Sequence, residues 1–326
     1  MKIFITGITG LLGRHVAEQC VRDGHEILAL VRDKKINKSN FLFDLNICYG
    51  DLTDIHSFSE SIDSSEIIIH CAANTSMFSF KNLKQEETNI SGVKNLITAT
   101  RNANIKKFIF ISSANTILPG DRICPGDESV KLTTKNFRLP YINTKITGEE
   151  ILLNEFKVNS FPVIILNPTF IIGPKDLNLS SGKLILSAIK KKIPFYPSGG
   201  KNVVDVRDVA KAVTNSINMG ELGSNYLLCN ENLTYKEIFL LSCDYAKVAA
   251  PKYKMPNYLG IIIGCFGTFF EFITNRSIAI NHKTIKLSFE NNYYKADKAK
   301  KELNFIARPA KETIKDTVNW FMNEYV

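Results

Sequence analysis

Residues Lys2-Ile3-Phe4-Ile5-Thr6-Gly7-Ile8-Thr9-Gly10-Leu11-Leu12-Gly13 decide the fold. An apolar run leads straight into three glycines, and the helical pattern Leu12, Val16, Cys20 follows. Gly7 and Gly10 allow a tight turn and a close approach of backbone to a pyrophosphate, and Gly13 lets the helix lie near the sheet. The helix N-terminus adds free N–H donors and the positive end of a dipole. The spacing G-x-x-G-x-x-G is one residue longer than the common dinucleotide fingerprint, but its place between a strand and an amphipathic helix predicts dinucleotide binding. Gly7, Thr9, Gly10, Leu11, Leu12 and Gly13 then form the phosphate turn.

Working outward, short apolar runs alternate with helical patterns. The runs Lys2–Thr6, Glu26–Val31, Ile47–Gly50, Glu66–Cys71, Lys107–Ser112 and Phe161–Leu166 read as strands, and Ile90, Val93, Ile97 mark one of the helices between them. Apolar strands separated by amphipathic helices predict an α/β, Rossmann-like, doubly wound parallel sheet covered on both faces. Ligands of such sheets collect at the strands' carboxyl ends. The expected organisation is a dinucleotide-binding domain over 1–175, joined again by parts of 200–230, and a smaller α/β substrate lobe over 176–326. In the second part, Thr234-x-x-Glu237 is a capping box opening a helix. Ile314, Val318, Phe321 and Met322 make an apolar helical face expected to dock on the core.

The 326 residues carry 41 Lys+Arg against 32 Asp+Glu, a net charge of +9, with 44% hydrophobic and 22% charged residues. That balance excludes a disordered chain, collagen or a coiled-coil rod. Net charge alone is no nucleic-acid motif, so no nucleic-acid partner is expected. The seven cysteines are scattered with no C-x-x-C pair, which reads as reduced thiols, and no His or Cys grouping has metal-ligand spacing. Nothing at the N-terminus reads as a signal peptide, and a cytoplasmic location is the expectation. Met255–Phe270 is the longest uncharged stretch, closed by Glu271 and short of a bilayer span. It reads first as a buried helix of the second lobe. The alternative is an apolar lid or a membrane-contacting edge, flanked by Lys252, Lys254 and Arg276.

Arg32 directly follows the second strand, where arginine accommodates the 2′-phosphate of NADP and an acid would bind the ribose of NAD. NADPH is therefore the expected cofactor, with NAD the alternative, although Asp33 turned inward would repel a phosphate. Asp51, beside Leu52 at the end of the third strand, can accept from the adenine amino group. Cys71, Ala72 and Ala73 end the fourth with small residues that leave room. His70 reads as a packing histidine.

Tyr141 and Lys145 stand one helical turn apart on one face. An ammonium beside a phenol lowers its pKa, making tyrosine a candidate acid for a carbonyl that becomes an alkoxide. Tyr294 and Lys298 share the spacing but lack a serine-ended strand nearby, and read as surface decoration.

These features together resemble the extended short-chain dehydrogenases/reductases of the NAD-dependent epimerase/dehydratase superfamily. Thr88–Leu96 resembles that family's fourth-helix pattern, and Lys107–Ala114 resembles its strand with the catalytic serine. Asn167–Pro174 is closest to the dihydroflavonol-4-reductase-like branch. The resemblance implies that Tyr141 is the acid/base, that Lys145 holds the nicotinamide ribose, and that Ser113, with Ser112 as the alternative, bonds the substrate oxygen. It further implies cofactor contacts from Asn89, Ile111, Asn167, Pro168 and Thr169, and substrate contacts from Asn74, Thr75, Phe78, Ser113, Ala114 and Phe170. Asn89 is either catalytic or a tie between helix and strand. Asn167 stands where many sugar-nucleotide enzymes carry arginine.

Three functions compete. The first is an NADPH-dependent reductase/dehydrogenase acting on a ketone or secondary alcohol. The second is a nucleotide-sugar epimerase or dehydratase with tightly held NAD, and the third a non-catalytic NADP-binding protein. Phe78, Phe80 and the apolar stretch suggest a hydrophobic substrate. The expected assembly is a homodimer or monomer, with peripheral membrane contact as a further partner.

Overall fold

A computed structural model describes residues 1–101, 103–134 and 139–326. Its strands are β1 (Lys2–Thr6), β2 (Glu26–Val31), β3 (Asn46–Tyr49), β4 (Ile67–His70), β5 (Lys107–Ile111), β6 (Val163–Pro168), β7 (Phe170–Ile172), β8 (Phe195–Tyr196), β9 (Gly200–Asp205), β10 (Asn225–Leu228), β11 (Glu231–Thr234), β12 (Tyr253–Lys254) and β13 (Asn291–Asn292). The helices are α1 (Leu11–Arg22), α2 (Ser59–Ile62), α3 (Leu83–Glu86), α4 (Gly92–Thr100), α5 (Pro140–Asn159), α6 (Lys183–Ile189), α7 (Val206–Asn215), α8 (Tyr235–Tyr245), α9 (Asn257–Thr274), α10 (His282–Phe289), α11 (Asp297–Glu302) and α12 (Ala310–Tyr325).

Seven parallel strands in the order β10-β6-β5-β4-β1-β2-β3 form the main sheet. The order reverses between β1 and β4, which opens a crevice at their carboxyl ends. Side chains alternate across β1: Ile3 and Ile5 pack under α1 and α7, and Phe4 packs on the other face under α2 and α4. Both faces are covered, so the strands read as continuous apolar runs. The chain returns to this sheet late, through β10 at its edge.

A second sheet centres on β9, antiparallel to β11 and parallel to β7 and β13. In α8 the Thr234 hydroxyl accepts from the Glu237 amide at 3.1 Å, and the Glu237 carboxylate accepts from the Thr234 amide at 2.6 Å. Ile314, Val318 and Phe321 of α12 are fully buried, while Met322 lies at the rim.

Two sequence expectations fail here. Tyr294 is core, 2% exposed, because the segment after β13 passes beneath the 117–126 loop, which bridges to Tyr293 and Tyr294. The stretch read first as a buried helix is α9, and most of it faces outward: its only buried residues are Gly260, Gly264 and Glu271. Apolar composition alone does not distinguish the two placements.

Candidate active site

The glycine turn closes on itself and on β4. Gly7 has φ +79°, and a Cβ there would lie 2.5 Å from the Ala72 nitrogen. A Cβ on Gly13 would lie 2.2 Å from the Gly7 carbonyl, so this glycine seats α1 on the turn itself. Gly10 differs, because its Cβ would meet only the Gly7 carbonyl, at 3.3 Å. The space beside Gly10 is a cradle that a side chain would fill, at the N-terminus of α1, and it fits a pyrophosphate. The Thr6 hydroxyl ties the turn to β4: it pairs with His70 Nδ1 at 2.7 Å and accepts from the Ala72 amide at 3.2 Å. His70 is buried and stacked on Phe110, and burial pulls its pKa down to about 3, which keeps it neutral. Asn178 donates to the Thr9 carbonyl at 2.9 Å, laying the loop after β7 against the turn.

On the other side of the crevice, α5 starts at Pro140, whose fixed φ and missing N–H suit a first helical position. That start seats Tyr141 in an apolar cluster with Leu132, Leu139, Ile142 and Ile146. The Tyr141 hydroxyl lies beside the Ser113 side chain, just past the end of β5. Burial nevertheless pushes the phenol up to about 12, with the neighbouring Ser113 only partly offsetting it. The expected acidification by Lys145 does not occur. Its ammonium donates to the Ile111 carbonyl at 2.7 Å and sits 4.8 Å over the Phe110 ring. Burial pulls Lys145 down to about 8, against the opposing pull of Cys71 and Glu149.

Beneath these residues lies a polar cluster that sequence reading missed. Glu149, 3% exposed, accepts from Ser112, from Thr116 at 2.8 Å and from Asn167 at 2.7 Å, and Lys131 stands 3.6 Å from its other oxygen. Ser112 is thus committed to Glu149, leaving Ser113 as the serine beside Tyr141. The one available signal was spacing, since Glu149 is one turn beyond Lys145 on the same face. Asn167 was expected at the cofactor, but it is fully buried and its amide nitrogen is spent on Ser113, Thr116 and Glu149.

Asn89 acts as a tie. Its oxygen accepts from the Asn74 amide at 2.7 Å, and its nitrogen donates to the Asn74 carbonyl at 3.0 Å and the Thr144 hydroxyl at 2.9 Å. It sits in a π-helical turn, Glu87–Ser91, leading into α4. Such π-bulges recur at functional sites.

The remaining expected residues divide. Arg32 is exposed beyond β2, 4.0 Å from Asp51, while Asp33 is turned to accept from the Lys35 amide at 2.9 Å. One Asp51 oxygen is occupied by the Thr53 amide and hydroxyl at 2.9 and 2.8 Å. Cys71, Ala72 and Ala73 are partly open at the end of β4, and Thr75 is exposed. Ile111 takes part through its carbonyl, and Ala114 and Pro168 are buried. Leu52 packs into the core under α4, and the Thr169 hydroxyl donates to Asn202 at 2.8 Å. Phe78 is buried in edge contact with Phe80, and the part-buried Phe170 packs against the second-lobe core.

The pattern of the family described as NAD dependent epimerase/dehydratase matches residues 3–229. A dihydroflavonol 4-reductase-like protein of Synechocystis sp. is 27% identical, covering 98% of this chain and 94% of its own. Sterol demethylase protein B of Methylococcus capsulatus is 24% identical over 98% of both chains. A solved nucleoside-diphosphate-sugar epimerase from Pseudomonas aeruginosa superimposes with a TM-score of 0.81 at 17% identity, covering 100% of this chain and 98% of its own, a likeness of fold.

Proposed function

The chain belongs to the NAD-dependent epimerase/dehydratase family and is an NAD(P)-dependent enzyme of oxidoreductase type, and from that premise we propose an NADPH-dependent reductase interconverting a ketone and a secondary alcohol on a hydrophobic small molecule. The observation that carries the reading is the hydroxyl pair of Tyr141 and Ser113, with Lys145 one turn along α5. The nicotinamide, when bound, supplies the hydride to the carbonyl carbon. Ser113 orients the carbonyl oxygen by a hydrogen bond, and Tyr141 gives that oxygen its proton. A phenol held near 12 is fully protonated at neutral pH, which suits an acid in the reducing direction. Lys145, held by the Ile111 carbonyl, would present its charge to the ribose.

Arg32 supports the choice of NADPH, being exposed where a 2′-phosphate would lie, with Asp33 turned to its own loop. A lipophilic substrate suits the contact of Phe80 with Phe272 at 6.1 Å and the sterol named in one relative. The test is a thermal-shift comparison of NADPH, NADP, NADH and NAD, followed by a panel of lipophilic ketones with the preferred reduced cofactor. Net NADPH oxidation is expected, and Tyr141→Phe abolishes it. Permanently held NAD with no net turnover, and retention of sugar nucleotides, overturns the reading in favour of an epimerase.

A further inference from the structure

Helix α9 presents two unlike faces. Gly260, Gly264 and Gly267, with Glu271 one turn further, form the seam toward the protein. A Cβ on Gly264 would meet the His282 backbone at 2.9 Å, and one on Gly260 the Phe289 ring at 2.4 Å. Ile262, Phe266, Phe269 and Ile273 repeat the same spacing two residues on, which places them on the opposite side. All four are exposed, as are Tyr258 and Phe270. The helix has a mean hydropathy of 1.4 over its 18 residues and a length of about 27 Å at 1.5 Å per residue.

Its docking is built, not loose. Glu271 is fully buried and accepts from the Ser79 amide at 3.2 Å, the Ile278 amide at 2.9 Å and Asn281 at 3.1 Å. Asn281 also donates to the Met77 carbonyl at 2.8 Å. The hairpin of α9 and α10 is therefore latched to the loop that leaves β4 at the crevice. With its seam fixed in this way, α9 lies along the protein instead of leaving it to cross a bilayer.

Charge names the occupant of the outer face. Between Asp244 and Glu290 the chain carries Lys247, Lys252, Lys254, Arg276, Lys283 and Lys286, and its single acid is the buried Glu271. Lys252 and Lys254 precede α9, Arg276 follows it, and all three are exposed. Large apolar side chains framed by cations are the pattern of a helix lying in an anionic lipid interface. We propose that α9 is a monotopic membrane-docking helix, its Ile262–Ile273 face buried among the acyl chains of an anionic bilayer with Lys252, Lys254 and Arg276 at the headgroups. This inference stands independently of the proposed reaction.

The test is flotation of the full chain with vesicles of mixed phosphatidylcholine and phosphatidylglycerol, and with phosphatidylcholine alone. Binding to the anionic vesicles is expected, weakened by salt. Phe266→Ser with Phe269→Ser is expected to lower it by about tenfold or more at an unchanged unfolding midpoint. Lys252→Glu with Lys254→Glu lowers binding to anionic vesicles without touching the apolar face. Absence of flotation, or flotation indifferent to the Phe substitutions, overturns the proposal. A vesicle-free dimer, dissociated by those substitutions and not binding lipid, overturns it too and assigns the face to a second copy of this chain.

Discussion

The Lys145 ammonium is held by the Ile111 carbonyl at 2.7 Å, so the charge beside the Tyr141 helix turn is fixed by the end of β5 and not by the phenol. Burial has brought Lys145 to about 8 and Tyr141 to about 12. Of these two groups, the lysine is then the first to lose its proton as the pH rises. The reduction proposed above needs the ammonium and the protonated phenol. The reductive kcat/KM is expected to be level below pH 8 and to fall above it, with Lys145→Arg, which stays charged, moving that limb out of range. Stability runs the other way. The unfolded lysine keeps its proton to its ordinary value, so unfolding takes up a proton above pH 8 and the fold gains stability over that window. Lys145→Met removes the gain, which denaturant titrations at a series of pH values would measure.

The glycine turn separates folding from binding. Gly7→Ala forces a Cβ at φ +79° to within 2.5 Å of the Ala72 nitrogen, and a strained, overpacked site costs about 1–3 kcal/mol or more. Gly10→Ala meets only one carbonyl at 3.3 Å, and its unfolding midpoint should stay near that of the parent. The same methyl fills the cradle, so the thermal shift given by NADPH should largely disappear. A Gly10→Ala protein with a full NADPH shift would refute the placement of the pyrophosphate.

How much of this was legible depended on range. β1 and β2 match their expected bounds residue for residue, because strands covered on both faces leave unbroken apolar runs between turn signals. The third strand begins one residue earlier than its run, at Asn46. Spacing also brought Tyr141 and Lys145 to one helix face. Glu149 escaped because its partners come from the ends of β5 and β6, distant in sequence, and a lone glutamate in a helix reads as solvated. The Asn167 amide nitrogen was unreadable for the same reason: a side chain at a strand's carboxyl end can turn to the ligand or to the helix below, and the buried Glu149 takes the nitrogen while the Asn167 oxygen keeps no partner among the described residues. In α9 the legible sign was the Gly260, Gly264, Gly267 seam, which marks close approach on one side and so leaves the large apolar residues to the other.

Asn89 joins two sides of the crevice through one side chain. Asn89→Ala deletes the bonds to both backbone groups of Asn74 and to Thr144; the Asn74 amide loses its partner, while the Asn74 carbonyl keeps the Gln85 side-chain amide at 2.9 Å. One unsatisfied backbone donor costs about 1–3 kcal/mol. A loss of that order in urea unfolding is expected, together with a lower kcat, because α5 carries Tyr141 and loses its tether to the loop after β4. Asn89→Asp keeps the acceptor for the Asn74 amide but turns the donor end into an oxygen facing the Asn74 carbonyl, so it should rescue neither measurement.

Asp205 and Asp208 fasten α7 to the C-terminal part of the chain. The Arg207 guanidinium makes two bonds to Asp205, at 2.9 and 2.7 Å, and reaches Asp316 of α12 at 2.7 Å. Arg308 bonds Asp208 at 2.7 Å and lies 3.6 Å from Asp205. Burial alone would raise the Asp205 carboxyl, but the bonds from Arg207 and the charge of Arg308 hold it below the ordinary range. A depressed carboxyl contributes stability that is fully present above its unfolded value, near 3.9, and lost as pH falls through the folded value. Arg308→Ala leaves Asp208 unpaired and weakens the hold on Asp205, which should cost about 3 kcal/mol, the low end for a broken buried pair because the arginines are part-exposed. With Asp205 less depressed, the variant should also begin acid unfolding at a higher pH than the parent. Circular dichroism on acid titration reads that shift, and coincident acid transitions would show that the clasp carries no charge-linked stability.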